Sequence, residues 1–400
     1  MKIGILKEDK VPADKRVPLS PNQCKRLIVQ YPSIALFVQS SNIRCFQDQE
    51  YEDLGVNIVE DISDCDVLLG IKEVPIESLI ADKTYLFFSH TMKKQDYNRG
   101  LLKTMIDKKI KMVDYEVVKN KKGKRLLGFG RYAGIIGAYN GLLTYGLKSG
   151  QYNLKAAHLC SNRQEMEAEL ECLNFNKEKI IVTGNGRVGN GVLETLRKAK
   201  IKEVSKEEFV NETFEEAVFV HLNTMDYNAR IDGTDFNKFE FYNQPEFYIS
   251  CFMDYAKYAD IFIAGHYYIE GSPYLITKED AKKTIFKIIT IADISCDIDG
   301  PIACNIRSSE IETPIYGYNP HTEKEDDVTK NGVIAVMAVD NLASELPKDA
   351  SEDFGENLIE KIFPLLLNED NDEIIENATI CQNGDLMQNF EYLRDYLNGN

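Results

Sequence analysis

KIIVTGNGRVG, at residues 179–189, joins a short apolar run to a segment of helical periodicity at 188–199. Its glycines have the spacing of a turn that binds the pyrophosphate of a dinucleotide. Gly184 permits a tight turn, Gly186 lets the backbone approach a phosphate, and Gly189 lets the helix pack against the strand. The free N–H groups and the dipole at the start of the helix favour the same anion. The stretch predicts a dinucleotide-binding turn, and the alternative is a glycine-rich turn without a ligand.

The cofactor predicted from this turn is NAD or NADP, without a metal. Its predicted contacts are Gly184, Gly186, Arg187, Val188, Gly189 and Ser205. An NAD site usually has an acid at the end of the next strand, about 20 residues further on. Residues 201–206 instead end in Val-Ser-Lys, so that Ser205 and Lys206 would suit a 2′-phosphate. Lys206 has an alternative interpretation as a solvated surface lysine, and the choice between the two cofactors stays open.

Short apolar runs alternate with longer helical stretches along the chain. The runs lack polar alternation, which is typical of parallel strands covered by helices on both faces. Predicted strands cover residues 2–6, 34–38, 66–71, 85–88, 112–115, 180–182, 218–222, 261–264 and 287–291. Predicted helices cover residues 21–30, 97–108, 133–150, 188–199 and 328–346, and residues 351–400 are also predicted to be helical.

This alternation predicts an α/β fold with two doubly wound, Rossmann-like domains and parallel sheets. The length of 400 residues agrees with two or three domains. We expect a discontinuous substrate and catalytic domain of residues 1–140 plus 325–400, and a dinucleotide-binding domain of residues 141–324. The apolar helices 133–150 and 328–346 would carry the chain between the domains, and the ligands would bind in the cleft between them.

Composition excludes several classes of function. The chain has 47 Lys and Arg and 64 Asp and Glu, which gives a net charge of −17. This charge argues against sequence-independent binding of nucleic acid. We expect no membrane association, because the apolar runs are short and charged residues occur close to the first residue of the sequence. The nine cysteines lack metal-ligand spacing, so we interpret them as reduced thiols of a cytoplasmic protein.

Several polar residues stand at the carboxyl ends of the predicted strands, where ligands bind in open parallel sheets. They are Lys15, Arg16, Lys72, Glu73, His90 and Glu116 in the first domain and Asp293 and Asp297 in the second. An amine and an imidazole beside a cleft can be tuned toward acid–base work by burial and by neighbouring charges. Taken singly, Lys72 is also interpretable as a surface lysine and His90 as a buried core histidine.

Seven segments carry a resemblance to a known family. They are KEDKVPADKRVPLSP (7–21), LLGIKE (68–73), FFSHTMKKQ (87–95), VDYEVV (113–118), GFGRYAG (128–134), ADISCDIDGPI (292–302) and VDNLASELP (339–347). In order along the chain they resemble the alanine dehydrogenase/transhydrogenase superfamily. Within it they are most similar to the lysine-forming saccharopine dehydrogenases, and to the lysine–ketoglutarate reductase half of bifunctional aminoadipic semialdehyde synthase.

The resemblance implies a reversible oxidoreductase reaction, in which lysine, 2-oxoglutarate and a reduced nicotinamide cofactor give saccharopine. It implies that Lys72 and His90 are the acid–base pair and that Arg16 binds a substrate carboxylate. The other substrate contacts that it implies are Glu73, Lys93, Glu116, Arg125 and Asp297. For Lys93, Glu116 and Arg125 a solvated-surface interpretation is the alternative.

Two further hypotheses stay open at this point. One is an amino-acid dehydrogenase of the alanine type, which would use free ammonia. The other is a catalytically silent nucleotide-binding protein, against which the presence of Arg16, Lys72 and His90 argues. The partners predicted are small amino acids and keto acids, and the predicted state is a monomer or homodimer.

Overall fold

The computed structural model describes residues 1–368 and 370–399, whose strands form two large sheets and one small two-stranded antiparallel sheet. In chain order the strands are β1 (Lys2–Ile5), β2 (Ala35–Gln39), β3 (Asn57–Val59), β4 (Val67–Leu69), β5 (Thr84–Phe87), β6 (Lys111–Asp114), β7 (Lys179–Thr183), β8 (Lys202–Glu203), β9 (Val218–Leu222), β10 (Asn228–Arg230), β11 (Tyr248–Ser250), β12 (Ile261–Ala264), β13 (Thr290–Asp293), β14 (Ile315–Asn319), β15 (Lys324–Asp326), β16 (Ile334–Met337), β17 (Thr379–Gln382) and β18 (Asp385–Leu386).

Helices connect most of these strands. They are α1 (Pro21–Gln30), α2 (Asp48–Glu52), α3 (Asp96–Asp107), α4 (Gly130–Ser149), α5 (Arg163–Glu169), α6 (Arg187–Lys198), α7 (Lys206–Asn211), α8 (Lys238–Asn243), α9 (Met253–Ala256), α10 (Lys278–Lys282), α11 (Pro347–Lys361), α12 (Phe363–Leu367), α13 (Ile374–Asn377) and α14 (Arg394–Asn398). In the described part of the chain, no helix combines the length and hydropathy needed to cross a bilayer. The chain divides into unit 1, residues 1–129 with the described residues from Pro347 onward, and unit 2, Gly130–Leu346.

Unit 1 contains an eight-stranded sheet in the order β18-β17-β6-β5-β4-β1-β2-β3. Strands β1 to β6 are parallel, and β17 and β18 extend the sheet in antiparallel fashion beyond β6. Adjacent residues Leu68 and Leu69 of β4 belong to different core clusters, because the sheet is covered on both faces. The strand order reverses between β1 and β4, and ligands of such sheets bind outside the strand ends at that point.

Unit 2 contains the second eight-stranded sheet, in the order β15-β14-β16-β13-β12-β7-β9-β8. Strands β8, β9, β7, β12, β13 and β16 are parallel, and β14 and β15 form an antiparallel edge. The order reverses between β7 and β12. The glycine turn that follows β7 therefore lies at the switch point of its own sheet.

Helix α4 packs closely on α6 because both contribute glycines to the contact. A Cβ at Gly134 would lie 2.0 Å from the carbonyl oxygen of Val188, and one at Gly191 would lie 2.1 Å from that of Arg131. A Cβ at Gly141 would lie 2.8 Å from a side-chain atom of β13. The helix is therefore an integral part of unit 2, where its small residues permit contact with both α6 and the sheet.

The predicted α/β class is confirmed, with two doubly wound sheets and a discontinuous first unit. The structure divides the chain between residues 129 and 130 and between 346 and 347. The sequence analysis placed these divisions after residues 140 and 324, because a hydrophobic pattern shows neither the packing of α4 on α6 nor the pairing of β16 with β13.

Two secondary-structure predictions were wrong. Residues 328–346 contain β16 and a short 3-10 turn instead of a helix, because an unbroken apolar run suits a fully buried strand as well as a buried helix. The region 351–400 contains helices together with β17 and β18, whose pairing with β6 depends on a distant part of the chain. Residues 369 and 400 of this region lie outside the described residues.

Candidate active site

Three polar residues meet at the carboxyl ends of β4 and β5 in unit 1. Lys72 and Glu73 follow β4, and His90 follows β5 with a left-handed backbone (φ 54°). Glu73 lies 2.5 Å from Nδ1 of His90 and accepts a second hydrogen bond from Nζ of Lys10, also at 2.5 Å. The carboxylate of Glu73 therefore contacts His90, one of the two predicted acid–base residues, and directly follows the other, Lys72, in the sequence.

Glu73 is the charged centre of this cluster. Burial by itself would raise the pKa of Glu73, but the hydrogen bonds from His90 and Lys10 outweigh it and lower the pKa to about 2. The carboxylate is therefore ionised at neutral pH and can only accept, so Nδ1 of His90 must be the donor. In neutral His90 this leaves Nε2 as the nitrogen with a free lone pair, which is the arrangement of an oriented general base.

Lys72 presents an amine without a fixed partner. Its backbone N–H donates to Oε2 of Glu8 at 3.0 Å, whereas its side chain makes no hydrogen bond or ion pair with any residue that the structure describes. Burial lowers the pKa of Lys72, and the positive charge of Arg16 lowers the pKa further. A partly buried amine with a lowered pKa is suited to exchange a proton with a substrate.

Glu8 is a buried carboxyl that the sequence analysis missed. It has a left-handed backbone (φ 55°) and accepts hydrogen bonds from the backbone N–H groups of Ile71, at 2.5 Å, and Lys72. Burial raises the pKa of Glu8 to about 8. Its contacts fix the segment between β4 and Glu73. Glu8 comes shortly after β1, so the strand-end criterion used for the other residues contained the signal for it.

Arg16 is buried and already engaged in an ion pair. Its Nε and Nη2 donate to the two carboxylate oxygens of Asp14 at 3.0 and 2.6 Å, and its guanidinium lies 4.1 Å from the ring centre of Phe129. Burial would raise the pKa of Asp14, but Arg16 outweighs burial and lowers it. One face and one edge of the guanidinium are thus occupied, and a substrate carboxylate would have to use the remaining Nη1 edge.

Asp114, at the end of β6, is a second buried acid that the sequence analysis missed. Its Oδ2 accepts hydrogen bonds from the backbone N–H and the hydroxyl of Ser89 at 3.2 and 2.5 Å, and its Oδ1 accepts from the backbone N–H of Glu116 at 2.7 Å. Ser89 immediately precedes His90. Asp114 therefore connects the two loops that carry His90 and Glu116.

The other predicted substrate contacts of unit 1 are less closely associated. A guanidinium nitrogen of Arg125 lies 3.7 Å from a carboxylate oxygen of Glu116, and the Arg125 side chain is 38% exposed and lies over the ring of Phe88. Lys93 is exposed, on the 3-10 turn that begins after His90. The structure pairs Glu116 with Arg125 and does not bring Lys93 to the Lys72–Glu73–His90 cluster.

A cavity of about 230 Å³ opens beside Lys72 and Glu73 at the switch point of unit 1. Its wall is formed by residues after β1, after β4 and at the ends of β2 and β3, including Glu8 and Gln39. This volume is below the range of sites for drug-sized ligands and suits a small metabolite.

In unit 2 the glycine turn has the geometry that the sequence predicts. Gly184 has φ +93°, and a Cβ there would lie 2.3 Å from the carbonyl oxygen of Gly265. A Cβ at Gly189 would lie 1.8 Å from the carbonyl oxygen of Gly184. A Cβ at Gly186 would meet no atom within 4 Å, so the protein's own packing does not explain this glycine. The open space beside Gly186 and the start of α6 fit the phosphates of a dinucleotide.

The remaining predicted cofactor contacts surround this turn or lie at the next strand. Arg187 and Val188 open α6, and both are partly buried. The hydroxyl of Ser205 caps α7 by accepting from the N–H of Glu208 at 3.1 Å. Lys206 donates to Asp226 at 2.6 Å. Both Ser205 and Lys206 therefore have partners within the protein.

Strand order explains why the expected ribose-binding acid was not found after β8. The strand that neighbours β7 is β9, and β8 lies beyond it at the edge of the sheet. The segment after β9 contains Asp226, whose side chain is 8% exposed and accepts from the N–H of Asn223 at 2.7 Å as well as from Lys206. Asp226 is thus the acid that follows the strand next to β7. The spacing used in the sequence analysis, about 20 residues after the glycine turn, did not select it.

Asp297 lies in the loop after β13, close to a more deeply buried acid. Asp293 ends β13, accepts from Ser295 and Asn305 at 2.7 and 2.8 Å, and has a pKa raised by burial to about 6. Burial also raises the pKa of Asp297. Asp293 holds the loop that presents Asp297.

Two histidines support the glycine turn from inside unit 2, and the sequence analysis did not select them. His221 on β9 donates from Nε2 to the carbonyl oxygen of Gly184 at 2.8 Å. Nδ1 of His266, after β12, lies 2.7 Å from the hydroxyl of Thr183. Burial lowers the pKa of His266 to about 4, so it is neutral at pH 7. Both contacts fix the turn by side chains from neighbouring strands.

The fold and the glycine turn define a doubly wound α/β protein of the dinucleotide-binding type. Residues 4–136 match the family model "Alanine dehydrogenase/PNT, N-terminal domain". The chain is 28% identical to alpha-aminoadipic semialdehyde synthase of Rattus norvegicus, over 98% of this chain and 47% of that protein. It is 24% identical to saccharopine dehydrogenase [NAD(+), L-lysine-forming] of Yarrowia lipolytica, over 90% of this chain and 91% of that protein. The resemblance predicted from the sequence motifs is thereby confirmed.

Solved structures show the same fold. L-alanine dehydrogenase matches with a TM-score of 0.66 at 14% identity, over 99% of this chain and 100% of that chain. The transhydrogenase from Sinorhizobium meliloti matches with a TM-score of 0.60 at 15% identity, over 97% and 99%. The chain spans about half the length of the semialdehyde synthases that it matches.

Proposed function

We propose that this chain is a nicotinamide-dependent oxidoreductase that condenses L-lysine with 2-oxoglutarate and reduces the product to saccharopine, reversibly. The observation that carries the proposal is the Lys72–Glu73–His90 cluster, in which one ionised carboxylate orients an imidazole beside an unpartnered amine. The similarity to semialdehyde synthases and saccharopine dehydrogenases supports the choice of substrates.

The reaction needs proton transfers at two stages. The ε-amine of lysine adds to the keto carbon of 2-oxoglutarate, and the carbinolamine loses its hydroxyl as water to give an imine. A bound nicotinamide would supply the hydride that reduces the imine carbon. In this proposal Lys72 accepts the proton that the attacking amine releases, and His90 exchanges the proton at the carbinolamine oxygen through Nε2. Glu73 holds His90 in the required tautomer.

Carboxylate binding is assigned to cations of unit 1. We propose that the free edge of Arg16 binds one substrate carboxylate and that Arg125, held by Glu116, and Lys93 contribute to binding the others. Asp297 is proposed to contact substrate near the cofactor. Among these, Arg16 has the firmest geometric support, because Asp14 and Phe129 fix its guanidinium.

The cofactor is proposed to be NAD or NADP, with its pyrophosphate at Gly184, Gly186, Arg187, Val188 and Gly189. The open space at Gly186 supports this placement. Ser205 is the contact proposed for a 2′-phosphate, and its hydroxyl caps α7.

The direct test is a spectrophotometric screen of NADH and NADPH with keto acids, with and without lysine. We expect oxidation of the cofactor only when lysine and 2-oxoglutarate are both present. Absence of turnover with this pair, while the cofactor binds, would contradict the proposal.

A second candidate is an amino-acid dehydrogenase of the alanine type. The match of residues 4–136 to the alanine dehydrogenase/PNT family model favours it. It predicts turnover of pyruvate with ammonia and none with lysine and 2-oxoglutarate, so the same screen separates the two candidates.

A further inference from the structure

A second cavity of unit 1 opens at the amino ends of β5 and β6. Its volume is about 390 Å³, within the usual range of sites for small molecules. Lys83 precedes β5, Thr84 begins it, and Lys111 begins β6. The candidate acid–base residues follow the carboxyl ends of the strands, and β5 spans about 10 Å. This amino-end cavity is therefore separate from the candidate active site.

Three lysines line the amino-end cavity. The side chains of Lys83 and Lys109 make no hydrogen bond or ion pair with any residue that the structure describes. Lys111 lies 3.9 Å from a carboxylate oxygen of Glu376. Within the described wall, one acid, Asp82, faces these three ammonium groups. In a chain with a net charge of −17, this local excess of positive charge favours the binding of an anion.

The lysines stand on backbone that the protein already holds in place. Asp82 and Lys109 have left-handed backbones, with φ 59° and 52°. The N–H of Asp82 donates to the carbonyl oxygen of Lys108 at 3.0 Å, and the N–H of Lys111 donates to that of Lys83 at 3.0 Å. The loops before β5 and β6 are thus bonded to each other. A ligand would meet a fixed backbone, which lowers the cost of ordering the site.

The turn between β17 and β18 completes the wall. Asn383 and Gly384 both have positive φ, 55° and 85°, as a two-residue hairpin turn requires. The stem of Lys109 packs on this turn, since its Cγ would lie 3.6 Å from a Cβ at Gly384. Oε1 of Gln382 is buried and has no hydrogen-bond partner among the described residues. Such an amide group is costly to bury unless a ligand supplies its partner.

We propose that the amino-end cavity binds a small polyhydroxylated organic phosphate. Lysine binds phosphate as a point charge, whereas the planar fork of arginine is suited to carboxylates, and the described wall contains three lysines and no arginine. The phosphate lies among the lysines, and the side chains of Thr84, Gln382 and Asn383 bond the hydroxyl groups of the ligand. The described wall also has no aromatic ring on which a nucleobase could stack. The proposal does not depend on the oxidoreductase function.

The test is calorimetric titration of the full chain with glucose 6-phosphate, glucose and citrate. We expect glucose 6-phosphate to bind with a Kd of about 1 mM or lower, and at least about tenfold more tightly than the other two. Citrate carries more negative charge, so a surface that is merely basic would bind it at least as tightly. Citrate binding that equals or exceeds that of glucose 6-phosphate would overturn the proposal, as would the absence of glucose 6-phosphate binding.

Lysine variants place the binding in this cavity. We expect Lys109→Gln and Lys111→Gln each to raise the Kd for glucose 6-phosphate severalfold, and the double variant to raise it about tenfold or more. Lys103→Gln is the matched control, because Lys103 is an exposed lysine of α3 outside the cavity wall. Its Kd should stay within about twofold of the wild-type value. An unchanged Kd in the double variant would overturn the assignment of the cavity.

Gln382→Leu separates a role in binding from a role in the fold. Leucine removes the unpartnered amide oxygen, so the melting temperature without ligand should stay the same or rise. The Kd for glucose 6-phosphate should rise severalfold, because the ligand loses a hydrogen-bond partner. A lower melting temperature together with an unchanged Kd would overturn the place of Gln382 in the site.

Discussion

At the level of single residues, buried carboxyl groups fix the backbone around the candidate catalytic groups. Glu8 binds the N–H groups that lead to Glu73, and Asp114 binds the residue before His90. Such acids are expensive to bury unless they are hydrogen-bonded. Their role here is positional, because they hold the loops on which the candidate catalytic side chains stand.

The acid–base assignment predicts large losses of turnover. Lys72→Met and His90→Gln should each lower kcat by roughly 100-fold or more, the usual effect of removing a general acid or base. Cofactor affinity should stay near that of the wild type, because both residues lie in unit 1 and the glycine turn lies in unit 2. Steady-state kinetics and a fluorescence titration with reduced cofactor measure the two quantities. Near-normal rates in both variants would remove these residues from the mechanism.

Glu8 predicts a pH dependence of stability. Its pKa of about 8 in the folded protein exceeds the ordinary value of 4.5, so between these pH values the folded chain holds a proton that the unfolded chain releases. Through this group the free energy of unfolding therefore falls as the pH rises from about 5 to 8. Glu8→Gln, which cannot ionise, should lose that part of the dependence.

Urea unfolding at pH 5, 6.5 and 8 measures this effect, with Glu52→Gln, a change of an exposed acid, as the control. Glu73 contributes with the opposite sign, since its lowered pKa stabilises the fold above pH 4.5 and is lost as the pH falls toward 2. A Glu8→Gln variant that keeps the wild-type slope between pH 5 and 8 would contradict the burial of an unionised Glu8.

The criterion of strand ends selected Lys72, Glu73 and His90 from the sequence, and the structure places Glu73 in contact with His90. Glu8 and Asp114 also lie near strand ends and met the same criterion, but a local sequence pattern does not show which of these acids are buried. The pairing of Arg16 with Asp14 was also invisible, because it depends on the conformation of the loop between them. Such a contact depends on the backbone conformation of the loop, which a local sequence pattern does not give.

At the level of helices and strands, the close contact of α4 with α6 predicts that position 134 requires glycine. In Gly134→Ala the new methyl group would lie 2.0 Å from a backbone oxygen, which cannot move away by a change of rotamer. We expect a loss of about 1–3 kcal/mol in the free energy of unfolding, as for other overpacked sites. Thermal and urea unfolding measure the loss.

Gly100→Ala is the matched control for that change. Gly100 is an exposed glycine of α3, and its nearest neighbour is the end of a flexible Ile76 side chain at 3.2 Å. Alanine is the better helix former, so this change should be neutral or stabilising by up to about 1 kcal/mol. Equal stability losses in the two variants would show that the α4 glycine has no special packing role.

The glycine turn predicts two different effects from the same substitution. Gly189→Ala should destabilise the fold, because its Cβ would lie 1.8 Å from the carbonyl oxygen of Gly184. Gly186→Ala should leave the melting temperature unchanged, since its Cβ enters open space, but should weaken dinucleotide binding by about tenfold or more. Calorimetric melting and titration with NADH and NADPH separate the effects. Unchanged affinity in Gly186→Ala would argue against a dinucleotide at this turn.

The ion pair between Lys206 and Asp226 predicts that Lys206 contributes little to the choice between NADH and NADPH. Lys206 is neutralised by Asp226, so Lys206→Ala should change the ratio of kcat/KM for NADPH and NADH by less than about threefold. Kinetics with both cofactors measure the ratio. A large loss of NADPH activity alone would show that Lys206 leaves Asp226 to bind a 2′-phosphate.

At the level of the whole molecule, the alternation of apolar runs and helices was enough to predict two doubly wound sheets and a discontinuous first unit. It was not enough to place β8 at the edge of its sheet or to identify β16 as a strand. Both depend on which strands become neighbours, and neighbours distant in sequence leave no local signal. The turn geometry at Gly184, which has φ +93°, was predictable because its constraint is local.

The discontinuity of unit 1 has a consequence for biosynthesis. A chain emerging from the ribosome exposes the outer backbone edge of β6 until β17, more than 260 residues later, is made and pairs with it. During that interval an entire intervening unit is translated, while the incomplete sheet offers an open template to other nascent chains. Premature termination between these strands would therefore yield an aggregation-prone fragment, and chaperone engagement should concentrate in that window of translation.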